Sequence, residues 1–190
     1  MTRSKAVLLI GLIGSLLVNI LLFDQIMKKQ SSPFAFNQGE VSFAFSQMAN
    51  DPQALLLQAI NRANKTLDIA IYNIEDPKIA QAILDAKERG VRVRVITDAS
   101  KATKKSQVKI LEQFQQYQIE VKVPSSRKMH LKMAIIDEQM IVLGSYNYTE
   151  ASAYENIEQL LTLSNEELAK EWTILFSKLW TQNELVKWDK

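Results

Sequence analysis

LDIAIYNIEDPKIAQAILDAKERGVRVRVITDA, residues 67–99, decides the fold. Its flanks, LDIAIYNI (67–74) and VRVRVITDA (91–99), are rich in β-branched residues and have the length and pattern of strands. Between them, DPKIAQAILDAKERG has apolar residues at helical spacing. Asp76-Pro77 opens that helix: an aspartate suits the cap, and proline suits a first turn that needs no amide donor. Gly90 closes it, because the residue after a helix often takes a left-handed conformation.

The same alternation continues in both directions. Upstream, VSFAF (41–45) reads as a strand, and Asn50 or Asp51 with Pro52 opens a helix through ALLLQAINRA. Downstream, residues 103–117 read as a helix and IEVKV (119–123) as a strand. KMAIID and MIVLGS form two strands joined at Glu138-Gln139, followed by IEQLLTLS (157–164). Ser164-Asn165-Glu166-Glu167 opens the last helix as a capping box, with Leu168, Trp172, Leu175, Phe176 and Leu179 on one face. Strands alternating with helices imply an α/β fold: a mixed, largely parallel sheet flanked by helices on both faces.

The first thirty residues differ from the rest. AVLLIGLIGSLLVNILLF (6–23) is apolar apart from Ser15 and Asn19. As a helix its eighteen residues reach roughly 27 Å, close to the hydrocarbon thickness of a bilayer. Basic residues flank it, and FDQIMKK follows directly with no small-residue cleavage site. Residues 1–30 are therefore expected to be a signal anchor with one transmembrane helix. The rest of the chain is then expected to be periplasmic or extracellular, with cleavage and secretion as the alternative. Residues 31–40, SSPFAFNQGE, read as a linker, and residues 41–190 as one catalytic domain. A net charge of +2 is too small to argue for nucleic acid, so any basic preference is local. With no cysteine, the chain forms no disulfides in either redox compartment.

HLKMAIIDEQMIVLGSYNYT, residues 130–149, holds the only histidine of the chain. The pattern is His130-x-Lys132, four residues, Asp137, six residues, Gly144-Ser145-x-Asn147. At background frequencies of ~5% per position, six coincidences have odds of roughly one in 10⁷ to 10⁸. His130 and Lys132 lie two apart, so in an extended segment they share a face, as do Ser145 and Asn147. If the two segments pair as a hairpin, those ends meet. Lysine, asparagine and serine supply donors, a set suited to a phosphate, and an imidazole among them can attack phosphorus. Seven residues from His130, Asp137 points to the opposite face and reads as structural. One histidine and no cysteine offer no ligand set at metal spacing, and no cofactor is expected.

The pattern resembles the HKD motif of the phospholipase D superfamily, HxKx₄Dx₆G[ST]xN, without departure, and Asn156-x-Glu158 resembles the asparagine and glutamate that follow it there. The order of strands and helices is similar to that of the superfamily's short bacterial nucleases. The resemblance implies His130 as nucleophile, Lys132 and Asn147 as phosphate ligands, Ser145 as a supporting donor and Glu158 as the carboxylate that orients an imidazole. It also implies a second HKD histidine to protonate the leaving oxygen. This chain has one, so a homodimer is expected, with the two copies of His130 facing each other across a two-fold axis. Arg127 and Lys128 just before the motif, and Lys104 and Lys105 in KATKKSQVK (101–109), are candidate substrate-binding residues. The expected function is a metal-independent endonuclease anchored to a membrane, with nucleic acid as substrate. A phospholipase or phosphatidyltransferase acting on lipid headgroups is the alternative, and a non-catalytic anchored scaffold a third reading.

Overall fold

The computed structural model describes residues 40–48 and 50–189. The expected anchor (1–30) and all but the last residue of the expected linker lie outside the described residues. Among those described, no helix is long and apolar enough to cross a membrane. Glu40, the last expected linker residue, is already tied to the sheet: its carbonyl accepts from the Ser164 amide at 3.0 Å.

Residues 67–99 form the centre of the sheet. Strand β2 (Thr66–Ile71) leads through helix α2 (Pro77–Glu88) to β3 (Arg92–Thr97), which lies parallel to it with Leu67 opposite Val93. The Asp76 carboxylate caps α2, accepting from the amides of Lys78 (2.8 Å) and Ile79 (3.3 Å) and from Gln53 Nε2 (2.5 Å). Gly90 follows the helix at φ +89°, the left-handed conformation its place requires. Asp51 caps α1 (Pro52–Asn61) in the same way, through the Gln53 amide at 2.8 Å.

From β3 the chain crosses by α3 (Lys105–Gln116) to β4 (Glu120–Pro124), again parallel. Next come β5 (Lys132–Ile136), β6 (Met140–Gly144), the short helix α4 (Glu150–Tyr154), β7 (Gln159–Ser164), α5 (Glu166–Trp180) and β8 (Leu185–Lys187). With β1 (Val41–Phe45) these make one sheet in the order β1-β7-β6-β5-β2-β3-β4-β8. Helices α1, α2 and α3 pack on one face over Leu67, Ile69 and Ile71, and α5 packs on the other beside Ala70, Ile96 and Ile135.

The sheet is mixed, and the expectation of a largely parallel one is corrected. Among the described strands, only β2–β3 and β3–β4 are parallel. The other five pairings are antiparallel. A parallel pair needs a long crossover, which α2 and α3 provide, whereas β5 and β6 are joined by a tight turn that permits only antiparallel pairing. The capping box at Ser164 also shifts by one residue: Asn165 is the cap, accepting from the Leu168 amide at 2.9 Å. The buried stripe of α5 is Ala169, Thr173, Phe176 and Trp180, so Leu175, expected inside, is 59% exposed. Leu168, Trp172 and Leu179 pack against the same core beside that stripe. There Arg94 locks β3 to α5. Its guanidinium makes a two-pronged bond to buried Asp68 (2.7 and 2.6 Å) while lying 4.9 Å from the Phe176 ring centroid.

Candidate active site

The candidate residues meet at one edge of the sheet. Tyr72 and Asp98 follow the C-terminal ends of β2 and β3, His130 precedes β5, Ser145 and Asn147 follow β6, and Glu158 precedes β7. The antiparallel register brings this about, because Lys132 pairs with Ile71 and Gly144 with Leu160.

Two dockings hold the loop from Ser145 to Thr149. On one side, the amides of Glu75 and Asp76 donate to the Tyr148 carbonyl (2.8 and 2.9 Å), and the Tyr148 amide donates to Asn73 O at 3.0 Å. On the other, the Ser145 amide donates to Gln159 O (3.1 Å), and the Gln159 amide returns a bond to Ser145 Oγ (3.1 Å). Gly144 makes this approach possible, since a Cβ there would lie 2.2 Å from Gln159 O. Tyr146 and Tyr148 are fully buried, and burial pushes both phenols far above their ordinary range. They are core residues.

His130 is exposed at the rim, with its ring edge-on to Tyr72 at a centroid distance of 4.6 Å. The Lys132 ammonium stands 3.2 Å from His130 Nε2 and donates to the His130 carbonyl at 3.1 Å. An ammonium has no lone pair, so Nε2 accepts and the ring proton sits on Nδ1. The imidazole pKa is accordingly lowered from 6.5, first by the charge of Lys132, then by burial and by Lys128, against an opposing pull from Asp98. Lys132 itself is held below its ordinary value chiefly by burial, with Glu158 opposing and Lys128 adding. A neutral nucleophilic nitrogen beside a cation is thus present at neutral pH.

Glu158 does not touch His130 among the described residues. Its carboxylate accepts instead from Ser145 Oγ, from Asn156 Nδ2 (3.2 Å) and from Ser152 Oγ (3.4 Å), and its amide donates to Ser46 Oγ at 2.8 Å. Asn147 is half-buried, with an amide oxygen that has no partner among the described residues. Asp137 stands at the far end of β5, about 17 Å along the strand from Lys132. At φ +54°, its carboxylate gathers the amides of Asn64 (2.9 Å), Lys65 (2.7 Å) and Thr66 (2.8 Å), which ties the turn after β5 to the start of β2.

The basic candidates divide. The Arg127 guanidinium pairs with Glu184 (Nε–Oε2 3.3 Å). Lys128 Nζ lies 5.0 Å from the Tyr72 ring centroid, beside the site. Lys104 and Lys105 line an open pocket of about 540 Å³ with Glu75, Lys101, Ser106 and Lys109. Two residues at this edge, Tyr72 and Asp98, went unread in the sequence, and Lys101 was read only as part of the basic run KATKKSQVK (101–109). Tyr72 packs on His130, and Lys101 stands 5.0 Å from the Tyr72 ring. Asp98, 3% exposed, accepts from the Met129 amide at 3.0 Å and so fixes the approach to His130. The only sequence signal for Tyr72 and Asp98 was position: both lie just beyond the end of a parallel strand, where α/β sheets bind ligands.

Residues 56–180 match the family described as cardiolipin synthase, PLD-like domain. The chain is 34% identical over 125 residues to a mitochondrial cardiolipin hydrolase of Chlamydomonas reinhardtii, covering 65% of this chain and 55% of that one. It is 30% identical over 139 residues to a phospholipase D of Rickettsia conorii, covering 72% and 67%. The chain thus spans little more than half of the first relative's length. Its fold is similar to the crystal structure of Nuc, a phospholipase D family member from Salmonella typhimurium, with a TM-score of 0.74 and 24% identity over 80% of this chain and all of that one.

Proposed function

Because the chain belongs to the phospholipase D-like family, we propose that it is a phosphodiesterase and, more narrowly, a metal-independent endonuclease that works as a homodimer. The carrying observation is the set of charges around His130: Lys132 at 3.2 Å, with Lys128 and Lys101 over the adjoining Tyr72 ring. This is a site for a backbone phosphate with further anionic charge beside it.

His130 Nε2 attacks phosphorus, and the bond from phosphorus to the leaving oxygen breaks. The two facing copies of His130 titrate as a pair that shares one proton, and that oxygen takes it from His130 of the partner subunit. Water then attacks the phosphohistidine, gives its proton to the second imidazole and frees His130. Lys132 and Asn147 hold the phosphoryl oxygens. Ser145 is a supporting donor, and Glu158 positions it and draws Lys132 toward the site. The single histidine supports the homodimer. The apolar run 6–23 supports membrane attachment.

A second reading, cleavage of phospholipid headgroups, is favoured by an apolar groove of about 230 Å³ that begins at Leu131, the residue after His130. Leu131, Met133, Trp172, Leu175, Phe176 and Leu179 line it, and acyl chains would fit such walls. One experiment separates the readings. The protein is incubated in EDTA with plasmid, single-stranded DNA, RNA and phosphatidylcholine vesicles, beside His130→Ala. Nicking that persists in EDTA and disappears in the variant is the expected result. Headgroup release without nicking selects the lipid enzyme, silence on every substrate selects the scaffold, and activity that returns only with Mg²⁺ overturns the histidine mechanism.

A further inference from the structure

Tyr72 is surrounded by cations. Lys101 and Lys128 each place Nζ 5.0 Å from its ring centroid and Lys132 places one at 5.1 Å, while the His130 ring meets it edge-on. All three lie within the range at which an aromatic face attracts an ammonium. They are also close enough to repel one another, since their separations are at most about one Debye length at 0.1 M salt. None of the three forms an ion pair with a carboxylate among the described residues. The nearby acid, Asp98, has its oxygens occupied by the Met129 and Ser100 amides and the Ser100 hydroxyl. The cluster is therefore a concentration of positive charge gathered on one ring, with Asp98 and Glu158 acting on it only from beyond ion-pair distance among the described residues.

Lys132 is occupied by His130 and, in the proposed reaction, by the scissile phosphate. Lys101 and Lys128 have no such task. We propose that Tyr72, Lys101 and Lys128 form a second anion subsite, which takes the phosphate adjacent to the scissile one along a nucleic-acid strand. Tyr72 is its positioning residue: the ring gathers the two ammonium groups and packs against the nucleophile, so the two phosphates are held in one register. Lys101 also lines the pocket with Lys104, Lys105 and Lys109, so the strand continues from His130 toward α3. The inference rests on the nuclease reading and narrows it to substrates with consecutive phosphates.

The test compares a dinucleotide that carries only its internal phosphodiester with the same dinucleotide bearing a terminal phosphate next to it, the phosphate being placed at the 5′ and at the 3′ end in turn. The wild type is expected to favour one phosphorylated form by about tenfold in kcat/KM, the scale of a charge-assisted contact. In Lys101→Gln/Lys128→Gln that preference falls toward unity. On a longer oligonucleotide the dependence of log(kcat/KM) on log salt becomes shallower by about one for each lysine removed. Tyr72→Phe keeps the preference and Tyr72→Leu loses it, which a purely structural role for the ring would not produce. Equal hydrolysis of all forms by the wild type, or a preference that survives the double lysine substitution or Tyr72→Leu, overturns the subsite alone. Hydrolysis of none of them, with headgroup release from phosphatidylcholine vesicles intact, overturns the nuclease reading and the subsite together.

Discussion

The protonation of His130 is set by its neighbours, and that has a measurable consequence. Lys132, burial and Lys128 all disfavour the imidazolium, so the ring stays neutral below its ordinary pKa of 6.5. The acidic limb of kcat/KM, which reports the free enzyme's base, is therefore expected below that value. Lys128→Gln removes one lowering charge and should move the limb to higher pH, as measured by pH–rate profiles of the two proteins. A limb unchanged by the substitution would show that Lys128 does not act on the ring. At this scale the sequence was informative where the pattern was local. His130, Lys132, Ser145 and Asn147 were legible because their spacing places two pairs on neighbouring strand ends. Tyr72 and Asp98 were not, because only tertiary pairing brings them to His130 from fifty-eight and thirty-two residues upstream. Glu158 was expected to orient the imidazole. Within one subunit it is engaged by Ser145, Asn156 and Ser152, contacts that short-range spacing does not encode.

Between elements, the contact most exposed to mutation is Arg94 on Asp68. Asp68 is 1% exposed, so removing its partner leaves a buried carboxylate with only Arg92, 3.7 Å away on the surface, to answer it. Arg94→Ala also strips a cation from the faces of Phe176 and Trp180. A loss of roughly 3 kcal/mol is expected, read as a lower urea midpoint at unchanged slope. The double variant Asp68→Ala/Arg94→Ala should lose less than the sum of the two single changes, because the stranded charge is gone. Helix starts were legible because capping is local: Asp51 and Asp76 accept from the amides two residues on. The short elements α4 and β8 went unread because five and three residues are too few to show a period. On α5 the hydrophobic spacing placed Phe176 in the core and Leu168, Trp172 and Leu179 against it, and missed only at Leu175, while Ala169 and Thr173 complete the buried stripe.

For the whole molecule, alternation of strands and helices fixed the layers but not the strand order, since a sequence pattern does not state which strands pair. The proposed mechanism needs two imidazoles and the chain has one, so specific activity is expected to fall on dilution below the dimer dissociation constant, in step with the mass from light scattering. A monomer that keeps full activity would refute the shared site. Almost every group assigned to the chemistry sits just before or just beyond a strand, whereas most of the interior is sealed by residues from strand middles and helices. Reactivity and architecture are thus carried largely by separate parts of the chain, and meet in the loop where Tyr146 and Tyr148 alternate with Ser145 and Asn147. His130→Ala should therefore melt within about 0.5 kcal/mol of the wild type, as an exposed substitution does. An intact but chemically silent protein of that kind would retain its substrate uncut, and so would serve as a bait to reveal what the living cell presents to it.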